Sequence, residues 1–112
     1  MSPITSHVLD TATGRPAQGL AIRLEVFEAD RWRVLAERVS DQDGRVTDLL
    51  APGALVAGTY RLTFDTGAYL RASGRPVFYP RVEVIFEITS PTEHHHIPLL
   101  LSPFGYSTYR GS

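Results

Sequence analysis

The sequence contains no cysteine in 112 residues, which excludes disulfides and thiolate metal sites. It has no run approaching the ~20 apolar residues that a bilayer-crossing helix needs. Neither sign of charge is in excess: 11 Lys and Arg meet 12 Asp and Glu, for a formal net charge of −1. Nothing in that balance draws the chain to nucleic acid or to an anionic membrane. The opening Met1-Ser2-Pro3-Ile4-Thr5 lacks the basic start and apolar stretch of a secretory signal. The expectation is a soluble, unexported protein of the cytoplasm. No repeat, linker or low-complexity tract divides the chain, so residues 1–112 are expected to form one domain. An apolar fraction of 43% and a charged fraction of 21% suit a globular core.

What is present is a series of short alternating runs. Leu20, Ile22, Leu24 and Val26 alternate with Ala21, Arg23, Glu25 and Phe27. Tyr60, Leu62 and Phe64 alternate with polar neighbours, as do Val82, Val84, Phe86 and Ile88 with theirs, apart from Ile85. A period of two with one apolar face predicts half-buried strands. The run Trp32 to Val39 is less regular. Gly14-Arg15-Pro16, Asp43-Gly44, Pro52-Gly53, Gly74-Arg75-Pro76 and Ser102-Pro103 supply turns between the runs. Only Asp65 to Gly74 reads as a helix, with Asp65 or Thr66 as its cap, Tyr69 and Leu70 docking it and Gly74 stopping it. The fold expected is all-β: an antiparallel β-sandwich of seven to eight strands with one short helix.

The segment Glu93 to Leu101 is the most informative. As a strand it puts Ile97, Leu99 and Leu101 on one face and His94, His96, Pro98 and Leu100 on the other. If the first face packs the core, the histidines point outward beside apolar groups, a surface better suited to cover by another subunit. The residues alone leave three readings open. His96 is a general acid or base, because its ordinary pKa near ~6.5 lets it hold or release a proton at neutral pH. Or His94 and His96 are a metal pair, with His7 as a third ligand. Or the adjacent histidines are structural. His7 lies in the first expected strand. Arg45 leaves the turn Asp41-Gln42-Asp43-Gly44, where its fork of donors suits a planar polar ligand or a developing oxyanion if it reaches a site. Asp41-x-Asp43-Gly44 is a fragment of a calcium-loop pattern without the bidentate Glu that would complete it.

Four motifs then carry a resemblance in a single register. They are His7-Val8-Leu9-Asp10 with Gly14-Arg15-Pro16-Ala17, Asp43-Gly44-Arg45, His94-x-His96-Ile97-Pro98-Leu99-Leu100, and the ending Ser102-Pro103-Phe104-Gly105-Tyr106-Ser107-Thr108-Tyr109-Arg110-Gly111-Ser112. Together they resemble the transthyretin family. The terminal Tyr-Arg-Gly-Ser is similar to the signature of its 5-hydroxyisourate hydrolase branch, an ending that hormone-carrying transthyretins lack. The resemblance implies the transthyretin-like sandwich and a catalytic set of His7, Arg45, His96 and Ser112. It implies that His7, Arg45, Tyr109, Arg110 and Ser112 bind substrate, with no metal and no cofactor. It also implies a homotetramer, a dimer of dimers with sites between the dimers. The middle residue of the histidine strand, commonly Tyr in this family, is His95 here. Strand parity turns it away from His96, so its effect is expected on packing. The rival reading is a non-catalytic small-ligand carrier on the same fold.

Overall fold

A computed structural model describes residues 2–112. Nine strands and one helix follow in the order β1 (Ile4–Asp10), β2 (Arg15–Pro16), β3 (Ala21–Glu28), β4 (Arg31–Val39), β5 (Arg45–Val46), β6 (Gly58–Phe64), α1 (Thr66–Ala72), β7 (Val82–Ile88), β8 (His95–Ser102) and β9 (Gly105–Thr108). They form two sheets. One has the order β2-β1-β8-β9, with β5 also paired to β1, and the other has the order β4-β3-β6-β7.

The expected alternation is what builds the core. Ile22, Leu24, Leu62 and Phe64 from the second sheet meet Ile4, Val8, Leu99 and Leu101 from the first, all essentially buried. Every strand pair is antiparallel except β1 with β8, which run parallel. That pair joins the two ends of the chain, and no local pattern announces it. The irregular run in β4 also has a cause. The register against β3 shifts at Leu24/Glu25, where Ala36 and Val34 are the successive partners, so Leu35 bulges and the two-residue period is interrupted.

The helix begins and ends as expected. Asp65 caps it by accepting from the Ala68 amide at 3.2 Å, while Thr66 instead donates its hydroxyl to the Tyr79 carbonyl at 2.6 Å. Leu70 is buried, and Gly74 follows with φ 69°, the left-handed conformation that glycine adopts freely. Tyr69 docks through a polar contact: its hydroxyl donates to the buried Asp10 carboxylate at 2.9 Å, beside the Arg75 guanidinium at 2.5 Å. Burial raises the Asp10 pKa, but these donors and the Arg75 charge outweigh it and hold the carboxyl below its usual range.

Candidate active site

Pairing of β1 with its two neighbours assembles the site. On one edge of β1, Thr5 lies opposite His96 and His7 opposite Pro98. On the other edge, His7 lies opposite Arg45 of β5. Because alternate residues face alternate sides, burial of Ile4, Ser6 and Val8 against the core turns Thr5 and His7 outward. They join His96 on one face of the sheet.

The turn before β5 aims Arg45. The Asp41 carboxylate accepts from the backbone amides of Asp43 and Arg45, both at 2.9 Å. Those bonds, led by the Arg45 amide, hold its pKa below the usual range. A turn-forming role thus accounts for the aspartates that suggested a calcium fragment. Gly44 sits at φ 74°, and a Cβ there would lie 2.5 Å from the Val8 carbonyl oxygen. Only glycine lets this turn approach β1 so closely.

The chain's end closes the site. The Gly111 amide donates to the His96 carbonyl at 2.7 Å. A Cβ on Gly111 would lie 2.6 Å from His96 Cδ2, so a glycine is what allows the tail to cross the imidazole. Ser112 then reaches a cleft of about 280 Å³ lined by Thr5, Arg45, Thr47, His94, His96 and itself. His7 stands beside this cleft on the same face and does not line it. A groove of about 620 Å³ lies on the other sheet among Arg23, Glu37, Arg38 and Asp65. Arg23 and Arg38 there already meet Glu25 and Asp48, so its greater size does not give it free chemistry.

Electrostatics mark His96. Burial lowers its pKa, and the positive charges of Arg45, His7 and His94 lower it further. At neutral pH its imidazole is therefore uncharged and able to accept a proton. Its Nδ1 is engaged by the Thr5 hydroxyl at 2.8 Å, and the same hydroxyl meets His94 Nε2 at 3.0 Å. Among the described residues Arg45 makes no salt bridge, which leaves its guanidinium donors for a ligand. Also among these residues, no group of three His, Cys, Asp or Glu side chains converges as a metal centre requires.

Tyr109 and Arg110 fall elsewhere. They border a separate cavity of about 360 Å³ with Val84, Phe86, His95 and Ile97. Arg110 donates to Glu93 at 3.1 Å and to the His94 carbonyl at 3.4 Å. His95 is buried on that side, as parity required, and among the described residues its Nδ1 has no hydrogen-bond partner. The structure thus gathers Arg45, His96 and Ser112 in one cleft with His7 adjacent, and leaves Tyr109 and Arg110 outside it. Thr5 and Thr47 join the site without any sequence signal of their own, and Gly111 joins it from the terminal Tyr-Arg-Gly-Ser.

A family profile described as the HIUase/Transthyretin family matches residues 4–111. The chain belongs to that family. A mouse 5-hydroxyisourate hydrolase is 52% identical, over 99% of this chain and 96% of its own length. The solved structure of Klebsiella pneumoniae 5-hydroxyisourate hydrolase superposes with a TM-score of 0.87 at 38% identity, covering all of both chains. Sea bream transthyretin in complex with thyroxine superposes with a TM-score of 0.93 at 34% identity, over 98% of this chain and 95% of its own. The family's fold thus serves both an enzyme and a thyroxine-binding protein. Overall backbone likeness does not separate them, and the side chains in the cleft have to.

Proposed function

We propose that this protein hydrolyses 5-hydroxyisourate to 2-oxo-4-hydroxy-4-carboxy-5-ureidoimidazoline, as a cyclic amide hydrolase of urate degradation. The observation that carries the reading is the meeting of a neutral His96, an unpaired Arg45 and Ser112 in one cleft. Water must lose a proton as it attacks a ring carbonyl, and His96 is the base. The tetrahedral oxyanion needs donors, and Arg45 supplies a fixed fork of them. The leaving ring nitrogen needs a proton, which His96 returns or His7 supplies. Ser112 contributes a hydroxyl that can orient the cation or the imidazole beside it. Tyr109 and Arg110 serve the substrate site indirectly, by anchoring the tail that carries Gly111 and Ser112. Within this reading the enzyme works in the cytoplasm, without cofactor, nucleic acid or membrane.

A homotetramer belongs to the same reading. Strands β7 and β9 are sheet edges with exposed Ile85 and Tyr106, and edges of this kind are commonly protected by symmetric pairing. A second pair contact across the outward face of β1 and β8 would enclose the cleft between subunits. The likeness to a thyroxine-bound transthyretin favours a carrier as the rival, but a carrier channel calls for mainly apolar walls. The test is to generate 5-hydroxyisourate with urate oxidase and follow its ultraviolet absorbance. Decay well above the spontaneous rate, reduced by about 10²–10⁴-fold in His96→Ala, is expected. A folded protein that leaves the spontaneous rate unchanged would move the assignment to the carrier.

A further inference from the structure

The Thr5 hydroxyl lies between two imidazoles, 2.8 Å from His96 Nδ1 and 3.0 Å from His94 Nε2. The rings stack with centroids 6.4 Å apart and planes 18° apart. Thr5 itself is 6% exposed, whereas His94 is exposed. A hydroxyl has a single proton. If it donates to one ring nitrogen, it can only accept from the other. Both contacts are hydrogen bonds only when one ring presents N–H and the other a lone pair, so the two rings hold complementary states across the bridge.

We infer that Thr5 is a positioning residue for the hydrolysis proposed above, setting the tautomer of His96 and linking it to His94 as a proton outlet. When the Thr5 hydroxyl donates to His94 Nε2, His96 carries its proton on Nδ1 and offers a bare Nε2 to the cleft. That is the state a base requires. After Nε2 takes a proton from water, His96 is charged in a partly buried place beside Arg45, His7 and His94, all of which disfavour it. The bridge relieves that charge. The His96 Nδ1 proton moves to Thr5 Oγ1 as the Thr5 hydroxyl proton moves to His94 Nε2. Two bonds to hydrogen break and two form, Thr5 stays neutral, and the positive charge ends on exposed His94. His96 is left neutral with its proton on Nε2, and the reverse transfer from His94 through Thr5 restores its Nδ1 proton as the Nε2 proton passes to the leaving ring nitrogen, so both imidazoles and Thr5 end neutral. A Thr at this position, buried between one shielded and one exposed imidazole, does what an orienting carboxylate does in other sites without adding a fixed charge.

This inference rests on the hydrolase reading, and its test separates the two. Wild type, Thr5→Val, Thr5→Ser and His94→Gln are assayed for 5-hydroxyisourate decay, and their histidine ring nitrogens are observed by ¹⁵N NMR. Valine keeps the volume and removes the hydroxyl. The expectation is that Thr5→Val loses about 10–100-fold in kcat with KM nearly unchanged. Its His96 signals should become an average of tautomers, and Thr5→Ser should recover both rate and tautomer. His94→Gln should shift the pH profile of kcat, a readout that a merely structural residue does not move. Thr5→Val with wild-type kcat and an unchanged His96 tautomer overturns the inference. So does a His94→Gln profile that coincides with wild type, which also serves if the valine variant does not fold. A wild-type protein without hydrolase activity defeats the functional reading instead, while the NMR comparison still decides whether Thr5 sets the tautomer.

Discussion

The outer faces of the two sheets handle charge in opposite ways. On β4-β3-β6-β7 the cations find carboxylates along a strand or across to the next. Glu25 is buried although it points away from the core, with Arg61 at 2.9 Å and Arg23 at 3.5 Å. Arg61 lies 4.3 Å from the centre of the Trp32 ring. Arg81 reaches Glu83 at 3.5 Å. On the face built by β1, β5 and β8, Arg45 has no such partner among the described residues, and His96 is held neutral by burial and surrounding positive charge. The lesson is that a satisfied charge network stiffens a sheet, whereas uncompensated cations around a proton acceptor leave binding and chemistry available.

That contrast is broken most directly at Arg45. Arg45→Gln is expected to lower kcat/KM by about 10²–10³-fold, the loss typical for a donor to a developing oxyanion. It also changes the pH profile in a defined direction. His96 titrates below 6.5, so the base stays neutral and active down to that lowered value and is lost as pH falls through it. Without the Arg45 charge the pKa rises, and the acidic limb of kcat/KM should move to higher pH. A limb that stays in place or moves lower would separate Arg45 from His96.

The next largest effect is expected at the tail. In Gly111→Ala the new Cβ must displace either the tail or the His96 ring, because it would meet Cδ2 at 2.6 Å. A misplacement of about 1 Å can cost ~10²-fold in rate. Initial rates should therefore fall strongly while the melting temperature holds, since the position lies outside the core. An unaffected rate would mean that the tail is not registered against His96.

The smallest effect on activity is expected on the opposite face. Glu25→Gln leaves Arg61 and Arg23 without their carboxylate and should cost about 1–3 kcal/mol of stability, less than a fully buried pair because the arginines are partly exposed. Urea unfolding would show the loss, while hydrolysis in the folded protein should be unchanged. A large fall in activity would make the two faces one coupled unit.

Much of this molecule was legible in short-range pattern. Alternation in β3, β6 and β8 assigned the core residues, because side chains in a strand change sides at every step. The same parity set His94 and His96 outward and His95 inward. The cap at Asp65 and the stop at Gly74 followed from local hydrogen bonding and backbone freedom. Other features had no local signal. Thr5 reads as an ordinary strand threonine until β8 is laid beside it. Gly111 belongs to a terminal motif whose reason appears only when the tail crosses His96. Glu25 reads as one of the polar residues of an alternating strand until Arg61 and Arg23 meet it.

The sequence by itself therefore determined the strands, their buried faces, the turn that aims Arg45 and the kinds of side chain available for proton transfer. Each of these depends on neighbours within a few residues. Only the tertiary structure decided that β1 and β8 run parallel, that His7 meets Arg45, that Thr5 joins two imidazoles, and that Ser112 enters the cleft while Tyr109 and Arg110 do not. Those contacts join residues up to about a hundred positions apart. They are fixed by the packing of two sheets over one core, a condition on the whole chain that no short segment carries.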